Sequence, residues 1–131
     1  ATLLQDHVDF ASFHFYENPA NLQGSLDELK EALGAKPIMV QETGMPSASF
    51  PLLPVGSNEQ KQADYLQRVL QVLRSNENTA YCIWTLYDFT EAPAEVFGWK
   101  PWIRYQQKSF GIIGLDGREK PAAKVISAPE H

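Results

Sequence analysis

Apolar residues along the chain fall into short unbroken runs, separated by stretches in which they recur every three or four positions. The first run, VDFASFHFY at residues 8 to 16, is aromatic and β-branched and too short for a helix; it predicts a strand closed by the turn signal Glu17-Asn18-Pro19. In SLDELKEALG, Leu26, Leu29 and Leu33 lie at helical spacing, Ser25 and Glu28 make a capping-box pattern, and Gly34 supplies the stop. IMVQE, residues 38 to 42, reads as a second strand. Ser57 and Gln60 open a second helix reaching about Arg74, with Ala63, Leu66, Val69, Leu70 and Leu73 on one face. AYCIWTLYDF, residues 80 to 89, reads as a third strand. A loop over residues 44 to 56 carries Pro46, Pro51 and Pro54, and a longer one runs from Thr90 to Lys108. Asp116-Gly117 marks a tight turn, and Lys120 to Ser127 begin a last short helix.

Strand, helix, strand, helix, strand, loop, helix is the order of an α/β protein with a parallel sheet and right-handed crossovers. No repeat or linker divides residues 1–131, so a single unit is expected. Three strands that are apolar on both faces suit a larger sheet or barrel. Strand alternation puts Ser12, His14 and Tyr16 on one face of the first strand, Ile38, Val40 and Glu42 on one face of the second, and Cys82, Trp84, Leu86 and Asp88 on one face of the third. Parallel strands bring their carboxyl ends to one edge, where α/β proteins hold their sites. His14, Tyr16, Glu42, Trp84 and Asp88 are expected to converge there.

Charge and composition narrow the candidate partners. Of 131 residues, 44% are hydrophobic and 21% charged, the balance of a globular domain. Eleven Lys and Arg against sixteen Asp and Glu, with no basic block, offer neither nucleic acid nor an anionic membrane a positive face. No apolar stretch approaches the roughly 18 residues of a membrane helix, and residues 1 onward lack a signal-peptide pattern; the compartment stays open. Cys82 is the one cysteine, and His7, His14 and His131 are scattered, so no metal site is expected. QETGMPS lacks the glycines of a phosphate-binding turn, and no cofactor is expected. A strand-end carboxylate beside His, Tyr and Trp suits a carbohydrate instead: the indole face packs on a pyranose while the polar groups reach its hydroxyls and anomeric carbon.

The segments FASFHFYENP, IMVQETGMPS, YCIWTLYDF and SFGIIGLDGREKPAA, in that order, resemble the last three strand-and-loop units of the clan A (β/α)8-barrel glycoside hydrolases, especially the cellulase and β-mannanase type. The resemblance implies Glu42 as the nucleophile at the end of strand seven. It implies His14 and Tyr16 from strand six beside that nucleophile, and Trp84 from strand eight as the floor of the attacked sugar's subsite. Asp88 and the loop residues Trp99 and Trp102 are further expected substrate contacts. In the family the general acid/base is a glutamate ending strand four, which has no counterpart among these residues. A whole barrel takes about 250 residues, so these 131 residues are expected to be the C-terminal part of one, inactive alone, with open sheet edges suited to self-association. A non-catalytic carbohydrate-binding or assembly module of the same fold is the alternative.

Overall fold

The computed structural model describes residues 5–48 and 57–128. The chain gathers into two compact units, one built from the stretches up to Thr43 and from Arg68 to Ile83, the other from Gly44 to Gln67 and from Trp84 onward. The expected loop over 44–56 lies outside the described residues from position 49.

The first unit holds a sheet of three parallel strands, β1 (Ala11–Phe15), β2 (Ile38–Thr43) and β3 (Thr79–Ile83), in the order β1-β2-β3. Helix α1 (Leu22–Leu33) links β1 to β2, and α2 (Glu59–Arg74) leads into β3. This is the α/β architecture with flanking helices that the alternation predicts. Leu22, Leu26 and Leu33 of α1, Ile38 and Val40 of β2, and Val69, Leu70 and Leu73 of α2 are buried. The start of α1 differs from the expected one. Asn18 accepts a hydrogen bond from the Ala20 N–H (3.1 Å) and opens a 3-10 turn at Pro19–Asn21 that runs straight into α1. Ser25 therefore lies inside the helix, donating to the Asn21 carbonyl. Asparagine followed by proline is the stronger start, since proline's fixed φ suits a first turn that needs no N–H. Asn76, almost fully buried, ties α1 to the end of α2 by exchanging hydrogen bonds with Gln23 and accepting one from Lys30.

The strand faces carry the larger correction. Phe13 pairs with Val40, but the next residue, His14, pairs with Glu42, so β2 holds one more residue than β1 at this point. The other ladder shows the same surplus: Val40 pairs with Tyr81 and Thr43 with Ile83, three steps against two. A bulge of this kind reverses the alternation beyond it. Ile38, Val40 and Thr43 are buried, whereas Glu42 has crossed to the face of Met39. The expected sharing of one face by Ile38, Val40 and Glu42 does not occur. Glu42 instead joins the face that exposes Ser12 and His14.

In the second unit the first half of α2 buries Ala63, Tyr65 and Leu66. Its cap is Asn58, whose Oδ1 accepts from the Lys61 N–H at 2.8 Å, while the expected cap Ser57 donates to the Pro46 carbonyl. The third strand stops at Ile83, before a cis Trp84–Thr85 peptide. Residues 85 to 89 bond to the segment 108 to 113 instead, through Thr85 to Phe110, Ile113 to Leu86, Asp88 to Ile113 and Phe89 to Lys108. The alternation expected through Trp84, Leu86 and Asp88 ends there. Two short helices, α3 (Ala94–Phe97) and α4 (Pro101–Gln107), occupy the expected loop, and α5 (Pro121–Ser127) closes the described chain. The turn at Asp116-Gly117 is present, with Gly117 at φ 79° and the Arg118 N–H donating to Asp116. Arg118 also grips Glu59 at the start of α2 through two hydrogen bonds, which hold that carboxyl below the usual carboxylate range.

Gln62 lies fully buried on α2 with its amide nitrogen 2.9, 3.1 and 3.2 Å from the carbonyls of Met45, Phe110 and Gly111. Two N–H groups thus serve three backbone acceptors, of which those of Phe110 and Gly111 are buried. Gln62→Leu keeps the bulk and deletes both donors, and is expected to cost about 1 to 3 kcal/mol. Urea denaturation checks this; an unchanged midpoint would show that the carbonyls find other donors.

Candidate active site

The bulge is what assembles the candidate site. β1 ends with His14 on the exposed face and Tyr16 just beyond the strand, and the displaced register of β2 sets Glu42 opposite His14. The Tyr16 hydroxyl donates to Glu42 Oε2 at 2.7 Å, and His14 Nδ1 lies 3.4 Å from the same oxygen. Both helpers thus address one carboxylate oxygen. Among the described residues nothing donates to the other, Oε1. The His14 side chain is 51% exposed and that of Glu42 32%, so the group is open to solvent on the sheet face that the helices do not cover. A carboxylate held at one oxygen and free at the other is oriented for attack or for accepting a hydrogen bond.

The residue after next is constrained too. A Cβ on Gly44 would stand 2.0 Å from the Trp84 carbonyl oxygen and 3.3 Å from the Phe110 ring. Only a glycine lets the chain leaving β2 approach that carbonyl so closely.

The remaining expected site residues belong to the second unit. Trp84 is half-buried, with the Phe89 ring edge-on at 5.8 Å. Asp88 is engaged within the fold: its Oδ1 accepts from Lys120 Nζ at 2.7 Å and from the Gly111 N–H at 2.9 Å. Lys120 Nζ also reaches Ser47 Oγ at 2.8 Å, and its side chain is 3% exposed. This buried cluster went unread in the sequence, where a lysine before Pro121 looks like a solvated helix start. The signal available was Asp88 itself, a charge closing a strongly apolar run. Trp99 and Trp102 are exposed around α3 and α4, and Lys100 Nζ stands 5.9 Å from the Trp102 ring centre.

Comparisons with known proteins bear on the family and the fold. The model of the glycosyl hydrolase catalytic core family matches residues 3–97. No curated protein sequence matches the chain significantly. Among solved structures, a GH2 β-galacturonidase from Eisenbergiella tayi superposes with a TM-score of 0.69 at 23% identity, over 93% of this chain and 23% of its own. A β-1,3-glucanosyltransferase from Rhizomucor miehei gives 0.64 at 20% identity, over 93% of this chain and 45% of its own. A β-glucuronidase from Ruminococcus gnavus gives 0.66 at 16% identity, over 92% and 22%. The chain therefore spans between 22% and 45% of these proteins, and its fold is that of part of a glycoside hydrolase barrel domain. With the family model covering well over half of its residues, the chain belongs to the glycosyl hydrolase catalytic core family.

Proposed function

We propose that this chain is the C-terminal part of a retaining O-glycoside hydrolase acting on β-linked glycans of the β-glucan or β-mannan type, with Glu42 as its nucleophile. The observation that carries the reading is the pairing of Tyr16 and His14 onto one oxygen of Glu42, with the other oxygen free. Glu42 Oε1 attacks the anomeric carbon, the bond to the leaving-group oxygen breaks as that oxygen takes a proton from the acid/base, and water then releases the sugar from the glycosyl-enzyme. Tyr16 orients the carboxylate. His14, on the same face, completes the polar border. Trp84 floors the subsite of the attacked sugar, and Trp99 and Trp102 give apolar faces to neighbouring sugars. Asp88, held by Lys120 and Gly111, serves by shaping the loop that follows β3.

The acid/base partner, which a retaining enzyme holds about 5 to 5.5 Å from the nucleophile, lies on a strand outside these 131 residues. The chain alone is therefore inactive, and the outer edges of β1 and β3 are where further strands of a longer domain, or of a second copy, would pair. The stereochemistry of the complete domain tests the assignment. Proton NMR of the first product from a β-linked oligosaccharide is expected to show the β-anomer; the α-anomer appearing first would remove Glu42 from the nucleophile's role.

A further inference from the structure

We propose that the groove between α3 and α4 is a binding site for neutral pyranose units of a β-linked glycan, with the Trp99 indole as its stacking face. The groove has a volume of about 680 Å³ and is walled by Trp99, Tyr105, Glu91, Glu95, Arg104 and Lys108. Trp99 is 81% exposed and Tyr105 40%, an arrangement that leaves large aromatic surface in water within a concave site. Exposed aromatic surface gathered in a concavity marks binding more than packing. Trp102, although exposed, does not wall this groove, so Trp99 supplies the groove's indole face.

The polar border selects the ligand class. Arg104 Nε donates to the Ala92 carbonyl, which anchors the guanidinium in the wall before any ligand arrives. A donor fixed in advance loses less freedom on binding. Arg104 and Lys108 offer donors, and Glu91 and Glu95 offer acceptors, in equal number. Vicinal hydroxyls both donate and accept, and so use both kinds of group. A sugar acid or a phosphate would meet two carboxylates along with the cations. An indole face with a balanced border of this kind suits the C–H face and hydroxyl edge of an uncharged pyranose.

The inference takes its glycan class from the function proposed above but does not depend on Glu42, and a binding measurement separates the two. The 131-residue protein is titrated calorimetrically with a neutral β-gluco-oligosaccharide, a neutral β-manno-oligosaccharide and an oligogalacturonate. Binding of at least one neutral oligosaccharide is expected, weakened about tenfold by Trp99→Ala and largely kept by Trp99→Phe. Far-UV circular dichroism of Trp99→Ala should match that of the parent, since the side chain is exposed. Absence of binding to both neutral ligands, equal affinity in Trp99→Ala, or tighter binding of the oligogalacturonate would each overturn the assignment. Failure of the retention experiment with binding intact would remove the hydrolase mechanism and leave this site standing.

Discussion

Glu42→Ala, made in the complete catalytic domain, is expected to lower kcat on the order of ten-thousandfold, and added azide to restore turnover while giving a glycosyl azide of inverted configuration. The size of the loss follows from what the side chain does. A nucleophile removed from a covalent mechanism leaves only binding and the acid/base to assist the reaction, and losses of this order are typical. Nothing nearby replaces it. Tyr16 and His14 both address Glu42 Oε2, so without the carboxylate they border an empty space in which a small anion fits. Azide attacking from that side forms the bond Glu42 would have formed, and the product keeps the configuration of the missing intermediate. Glu42→Gln fills the space, and azide should not rescue it. The substitution is not a folding hazard, because Glu42 lies on the uncovered sheet face and is a third exposed. A fall of less than tenfold would remove Glu42 from the nucleophile's role, and a rescued product of unchanged configuration would make it the acid/base instead.

The location of that carboxylate was legible before its direction was. IMVQE ends at Glu42 on any reading, and three parallel strands bring their carboxyl ends together whatever the side chains are. Its face was not legible, because alternation counts residues along one strand, whereas a bulge is defined by how two strands pair. Counting from Ile38 puts Glu42 on the buried side, and the extra residue in β2 returns it to His14. The helices show the complementary case. The buried face Ala63, Leu66, Val69, Leu70 and Leu73 of α2 is the predicted one, since helical spacing is fixed within a single element. The first cap lies seven residues before the expected one and the second one residue after it, because several residues near each start, Ser25 and Asn18 or Ser57 and Asn58, are competent, and the competition is settled by turn geometry. Helices α3 and α4 escaped notice because elements of four and seven residues are too short to display a period.

The second large effect is expected at Lys120, whose replacement by methionine should cost about 3 to 5 kcal/mol of stability. Methionine preserves most of the stem's packing, so the loss measures the ammonium group. That group is 3% exposed and lies 2.7 Å from Asp88 Oδ1, itself on a side chain 16% exposed. Without it the carboxylate keeps the Gly111 N–H as donor to Oδ1 but loses its directly paired cation in a poorly solvated site, with only the more distant Arg118 left to balance it, and Ser47 Oγ loses its donor. Asp88 cannot shift to relieve this, because Gly111 sits so tightly that a Cβ there would be 2.1 Å from the Asp88 nitrogen. Removing both charges should therefore cost less than removing one. Lys120→Met combined with Asp88→Asn is expected to recover a large part of the loss, since a neutral amide carries no charge to desolvate. A double-mutant cycle in guanidinium chloride, with slopes checked for a common unfolding transition, measures the coupling. Additive losses would show that water screens the pair. Strong coupling would show that the loops after β2 and β3, which carry Ser47 and Asp88, are fastened to the residue before α5 by a buried ion pair.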